Sequence, residues 1–140
     1  MTRTDGLILD TCAMIWLSQG EILAESAMSV IERARRAKVV ICVSPMSAWE
    51  AGMLVSKDRL PAVTDANRWF DQFVDVAQVS VHPMPTKVLI ASSYLPELDH
   101  KDPVDRIIIA TAREENYAIV TRDLTILAYG AAGHVRTVRC

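Results

Sequence analysis

Asp10, Glu50, Asp105 and Asp123 are far apart in the chain, yet each stands where a strand or the start of an apolar helix would carry it. Asp10 ends the apolar run Leu7-Ile8-Leu9, and Asp123 follows Tyr117 to Thr121. Glu50 lies beyond Val39 to Val43, and Asp105 precedes the apolar stretch Ile107 to Ala112. Carboxylates gathered within a few ångströms repel one another and raise their own pKa values, so such a cluster calls for a cation. Oxygen donors favour Mg2+ or Mn2+ over zinc, and Mg2+ keeps waters that leave room for a phosphate oxygen and an attacking water. The chemistry this supports is hydrolysis of a phosphodiester, in which no Ser, Cys or His nucleophile is needed. Each acid alone has a simpler explanation: Asp10 as a helix cap, Asp123 as a turn residue, Glu50 as a surface acid. The joint arrangement is more specific than any member.

The elements that must position these groups are legible in outline. Asp102 suits an N-cap and Pro103 the first helical position, which puts Asp105 in the first turn of a helix through Ala112. Leu7 to Leu9 reads as a buried strand, followed by a helix over Cys12 to Leu17. Ile22 to Ala37 has apolar residues at helical intervals and ends in basic ones, as a helix C-terminus prefers. Val39 to Val43 reads as a strand covered on both faces. Ser47 is placed to cap a helix over Ala48 to Ser56, with Glu50 in its first turn. A helix over Thr64 to Ala77, a short strand over Gln78 to His82 and a helix from Pro85 through Tyr94 follow. Tyr117 to Thr121 is a strand, Leu124 to Tyr129 a helix stopping at Gly130, and His134 to Val138 an edge strand. Strands alternating with helices imply an α/β fold: a mostly parallel, roughly five-stranded sheet with helices on both faces and right-handed crossovers. In such sheets the ligand crevice lies beyond the carboxyl ends of the strands, where the acids fall.

The bulk numbers bound the reading. A chain of 140 residues, 51% hydrophobic and 23% charged, is expected to form one compact domain over 1–140. A net charge of −2 excludes the broad basic footprint of a sequence-tolerant duplex binder. Arg33, Arg35, Arg36 and Lys38 read as a solvated helix face. No apolar run has the length of a membrane span and no leader is evident, so a cytoplasmic protein is expected. Cys12, Cys42 and Cys140 lack disulfide or zinc spacing, and Cys12 is expected to be a small buried residue.

Four stretches resemble the PIN-domain ribonucleases, and among them the VapC-type toxins of bacterial toxin-antitoxin pairs. They are Leu7-Ile8-Leu9-Asp10-Thr11 with Trp16-Leu17, Ser44-Pro45-Met46-Ser47-Ala48-Trp49-Glu50, Asp102-Pro103-Val104-Asp105-Arg106 through Ala112, and Val120-Thr121-Arg122-Asp123. They follow the family's order across nearly the whole chain. The resemblance implies a three-layer α/β/α sandwich and an acidic metal site carried over to Asp10, Glu50, Asp105 and Asp123. It implies a Mg2+- or Mn2+-dependent endoribonuclease acting on RNA, a homodimer, and a cognate VapB-type antitoxin that sets a basic side chain near the acids. Ser44 and Thr121 look like hydroxyls beside the metal or the substrate. Arg106 and Arg122 are candidates for phosphate contact, or else for pairing with Asp102, Asp105 or Asp123. Cys12 stands where relatives often carry His. His82, His100 and His134 read as structural or exposed, though His100 is near Asp102 in sequence. The haloacid-dehalogenase-like phosphatases also place Asp after the first strand, but they need a second Asp where this chain has Cys12. The alternative is a non-catalytic PIN-like module whose acidic cluster binds a basic partner segment.

Overall fold

Strict alternation along short apolar strands is what gives this chain two buried sheet faces. The computed structural model describes residues 4–21 and 23–140. Its strands are β1 (Gly6–Leu9), β2 (Val40–Val43), β3 (Ser80–Val81), β4 (Tyr117–Thr121) and β5 (Arg136–Arg139). Between them run α1 (Thr11–Ser18), α2 (Glu25–Arg36), α3 (Pro45–Ser56), α4 (Ala66–Ala77), α5 (Thr86–Ala91), α6 (Pro103–Glu115) and α7 (Leu124–Ala131). The strands form one five-stranded sheet in the order β3-β2-β1-β4-β5, every described pairing parallel. Leu7, Leu9, Ile41, Val43, Ala118 and Val120 face one side and pack with Met14, Ala27, Ile31 and Phe73 from α1, α2 and α4. Ile8, Cys42 and Ile119 face the other and pack with Val88, Ile108, Ile109 and Ile126 from α5, α6 and α7. The outcome is the expected α/β sandwich. Among the described residues no helix is long and apolar enough to cross a membrane.

The strand order reverses direction about β1, which puts the switch point between β1 and β4. Leu9 is level with Val43 on one side and Val120 on the other. The residues that follow are Asp10, Ser44 and Thr121, so three chain segments leave the sheet side by side. The Asp10 N–H donates to the Val120 carbonyl at 3.1 Å and locks this rim.

Several local expectations are corrected. The helix expected from Ala48 starts at Pro45, because the pyrrolidine ring already holds the first helical φ and the Ser44 hydroxyl accepts from the Met46 N–H at 3.1 Å. Ser47 is fully buried inside that helix and bonds the Thr11 hydroxyl at 2.9 Å, tying α3 to α1. Gly130 does not stop α7. A Cβ there would lie 2.7 Å from the Thr137 methyl, so the glycine lets the helix approach β5. Val40 is 43% exposed rather than covered, and the helix from Pro85 ends at Ala91, leaving Tyr94 exposed beyond it. The helix expected over 22–37 spans Glu25–Arg36, and Ile22 lies outside the described residues.

Gly6 sits where β1 is flanked on both sides. A Cβ there would come within 2.7 Å of the Tyr117 ring and 2.9 Å of the Val40 carbonyl, and the latter is backbone that cannot swing away. Gly6→Ala is expected to cost about 1–3 kcal/mol, read as a lower denaturant midpoint with an unchanged slope.

Candidate active site

Asp10, the residue after β1, is both a cap and an inward-facing acid. Its Oδ1 accepts from the Ala13 N–H at 2.8 Å, while its Oδ2 accepts from the Thr121 hydroxyl at 2.5 Å. It is 5% exposed, and burial raises its pKa against the two hydrogen bonds that lower it, with the charges of Asp123 and Glu50 adding to the rise. Thr121 ends β4 fully buried, and its oxygen also accepts from the Asp123 N–H at 3.0 Å. One hydroxyl therefore ties together the chain at Asp10 and at Asp123. Asp123 caps α7 through the Ile126 N–H at 2.9 Å. Asp102 caps α6 through the Asp105 N–H at 3.1 Å, as its place before Pro103 predicts. Glu50 projects from the second turn of α3, one turn later than expected because the helix begins earlier.

Asp10, Glu50, Asp105 and Asp123 line one cleft of about 370 Å³, with Thr11, Cys12, Trp16, Asp102 and Arg122 completing its walls. Three helices, α1, α6 and α7, begin at it. Their positive ends favour anions there. Asp105 nevertheless has its pKa pushed up to about 6: burial is the main cause, the charges of Asp102 and Asp123 add to it, and the hydrogen bond from His100 opposes it. The donors are all oxygens, as Mg2+ or Mn2+ prefers. Among the described residues no group of three His, Cys, Asp or Glu side chains is close enough together to hold a metal ion directly. That suits an ion held by one or two carboxylates and otherwise by water and substrate, which is how Mg2+ is commonly bound.

The remaining expected residues divide. Ser44 is buried and its hydroxyl is spent on capping α3, so it stands behind the cleft rather than in it. Arg106 is turned away from the acids and donates to the carbonyls of Ser92, Leu98 and His100 at 2.8, 3.3 and 2.9 Å. Arg122 is exposed at the cleft, its guanidinium 4.0 Å above the Trp16 ring and its Nε donating to the Cys140 carbonyl at 3.1 Å. Cys12 is exposed, not buried: α1 turns Ala13 and Met14 to the core and this residue to the cleft. Partial burial and then the charges of Asp10, Glu50, Asp105 and Asp123 push its thiol up to about 11, so it remains a neutral wall group. Sequence reasoning missed two members. His100 bonds Asp105 at 2.7 Å, and its position five residues earlier was the available signal. Trp16 lines the cleft beneath Arg122; it belongs to a stretch that carries the family resemblance, but that stretch gave it no role in the site.

The sign of the Asp105 shift sets a test. A carboxyl that titrates at about 6 when folded and near 3.8 otherwise gives stability below the lower value that is lost as pH rises through the upper one. Metal-free protein is therefore expected to lose thermal stability between about pH 4 and 6. Asp105→Asn, which carries no charge at any pH, should flatten that part of a Tm-against-pH curve recorded in chelator. An equal slope in the variant would assign the loss to another group.

The geometry can be set beside known proteins. The sequence profile of the PIN domain matches residues 7–131. Ribonuclease VapC22 of Mycobacterium tuberculosis is 29% identical over 119 residues, covering 84% of this chain and 86% of that protein. Among solved structures, VapBC2 from Rickettsia felis bound to a DNA fragment from its promoter superposes with a TM-score of 0.70 at 16% identity, covering 95% of this chain and 97% of that one. DNA-bound VapBC from Salmonella typhimurium gives 0.69 at 17% identity, with 96% and 97% covered. The profile match takes in β1 from Leu7 onward, β2, β3, β4 and every acid of the cleft, and the chain belongs to the PIN-domain family.

Proposed function

We propose that this protein is a metal-dependent endoribonuclease, the toxin of a toxin-antitoxin pair, which hydrolyses RNA phosphodiester bonds at the cleft between β1 and β4. The observation that carries the reading is the delivery of Asp10, Glu50, Asp105 and Asp123 from four separate chain segments to one small cleft. Family membership supports the nuclease, and the likeness to Ribonuclease VapC22 supports RNA as the substrate. The likeness in fold to VapBC proteins fits a VapB-type antitoxin as partner. An antitoxin that sets a basic side chain against these acids would be electrostatically matched to the cleft. A cytoplasmic homodimer is part of the same reading.

In this reading Mg2+ or Mn2+ would be held among Asp10, Glu50, Asp105 and Asp123, by one or two of these carboxylates directly and by the others through water. When bound, the ion lowers the pKa of a water and offsets charge developing on the phosphate. Thr121 keeps the Asp10 carboxylate aimed by its 2.5 Å hydrogen bond and fixes the Asp123 backbone with the same oxygen. Arg122, steadied on the Trp16 face, offers its charge to a neighbouring phosphate of the substrate. Trp16 and the helix N-termini of α1, α6 and α7 shape the wall against which the RNA backbone rests. Ser44 acts only through the position of α3, and Arg106 only through the loop it binds.

The test is cleavage of end-labelled structured RNAs with Mg2+, with Mn2+ and with chelator, comparing wild type with Asp10→Asn and Asp105→Asn. Metal-dependent cutting is expected. Each substitution should reduce it by more than about 100-fold, since even outer partners of metal ligands commonly cost 10–100-fold. Metal binding without cleavage across varied RNAs would instead favour a non-catalytic module.

A further inference from the structure

His100 lies on the connection between α5 and α6, which has no regular backbone of its own. Its position is nonetheless determined by side chains from α6, from α7 and from the connection between α7 and β5. Arg106 donates to the carbonyls of Ser92, Leu98 and His100 itself. Tyr129 of α7 donates its hydroxyl to the Pro96 carbonyl at 2.6 Å. His134 reaches the Glu97 carboxylate at 3.1 Å. Arg106 is the residue after Asp105, so the turn of α6 that presents the carboxylate also grips the loop that carries the imidazole. The two side chains meet at 2.7 Å, His100 Nε2 to Asp105 Oδ2, each with 24% of its side chain exposed. A carboxylate has two oxygens. Each oxygen accepts at two lone pairs, so with His100 on Oδ2 the carboxylate still has acceptor sites for whatever binds in the cleft.

We propose that His100 is a positioning residue for the metal site: held by Arg106, it donates from Nε2 to Asp105 and fixes the rotamer in which that carboxylate can ligate. This rests on the reading above that Asp105 is one of the ligands. The relation repeats the one between Thr121 and Asp10 on the other side of the cleft, where a buried hydroxyl takes Oδ2. Partners of this kind orient ligands and reduce the freedom lost on binding.

The experiment is Mn2+ titration of the full-length chain, followed by electron paramagnetic resonance and calorimetry, with RNA cleavage read in parallel. The proteins are wild type, Asp105→Asn, His100→Leu, His100→Gln and His100→Asn, each checked for folding by circular dichroism. Gln carries an N–H at nearly the reach of Nε2, whereas Asn is too short. His100→Leu and His100→Asn are expected to weaken Mn2+ binding by about 10–100-fold, with His100→Gln recovering most of it. Cleavage should fall through kcat at fixed metal, and excess Mn2+ should restore it, with KM for RNA unchanged. If Asp105→Asn weakens Mn2+ binding but His100→Leu or His100→Asn binds as tightly as wild type, the role of His100 is overturned and the ligand reading stands. Should His100→Leu fail to fold, equal affinities for the Asn and Gln variants would overturn it. If Asp105→Asn leaves Mn2+ binding unchanged, the ligand reading itself falls, and the role of His100 with it.

Discussion

The burial of carboxylates in one poorly solvated cleft, with their mutual repulsion added to it, is the constraint around which this structure is arranged. Two unit charges 4 Å apart cost about 4 kcal/mol at an effective dielectric of 20. A helix N-terminus returns roughly 0.3–1 kcal/mol for each carboxylate near it. Three such ends begin at the cleft, and they do not balance the repulsion and burial together. The imbalance is visible in the raised pKa values of Asp10 and Asp105, for both of which burial is the leading cause. A cluster kept under this load is well suited to a divalent cation and poorly suited to standing empty as a structural feature.

Holding the load needs a rigid frame. Asp10, Asp123 and Asp105 are carried by the most buried parts of the chain: β1 at the middle of the sheet, β4 beside it and α6 across one face. Ile8, Ile108, Ile109 and Ile119 are fully buried between that face and α6, so the start of the helix cannot drift relative to the rim. Thr121 then couples Asp10 to the Asp123 backbone through one oxygen. The same groups that satisfy the backbone at the rim thus set the spacing of the acids.

What could be read from residues alone follows from how local the cause is. Asp102, Pro103 and Asp105 announce a helix start because capping is decided within four residues, and the structure agrees. The strand segments are legible from apolar runs, and their order about β1 makes the rim a physical consequence of topology. Ser47 reads as the cap of α3 because it precedes Ala48, but the ring of Pro45 starts the helix earlier and gives the cap to Ser44. Gly130 reads as a stop but serves a close approach to Thr137, a contact created by the return of β5. Cys12 reads as buried because α1 is apolar nearly all round, which hides the side that faces the cleft. Arg106 reads as a phosphate ligand because its charge is adjacent to Asp105, yet its actual partners are carbonyls six to fourteen residues earlier.

The capping and ligating readings of these acids compete only if each carboxylate oxygen is treated as a single acceptor, whereas each has two lone pairs. Asp10 uses one oxygen for the Ala13 N–H and presents the other to Thr121. Asp123 caps α7 with Oδ1 and lines the cleft as well. Asp105 leaves the capping of α6 to Asp102 and is held through His100 instead. The two supports differ in kind. Thr121 belongs to a central strand and is fully buried, whereas His100 belongs to a loop that depends on Arg106 for its shape. A strand residue can change its hold on a ligand only by rearranging the sheet, but a loop can vary in sequence while the sheet is kept. On the proposed reading, the Asp105 side of the cleft is therefore where affinity for an ion can be tuned without disturbing the fold.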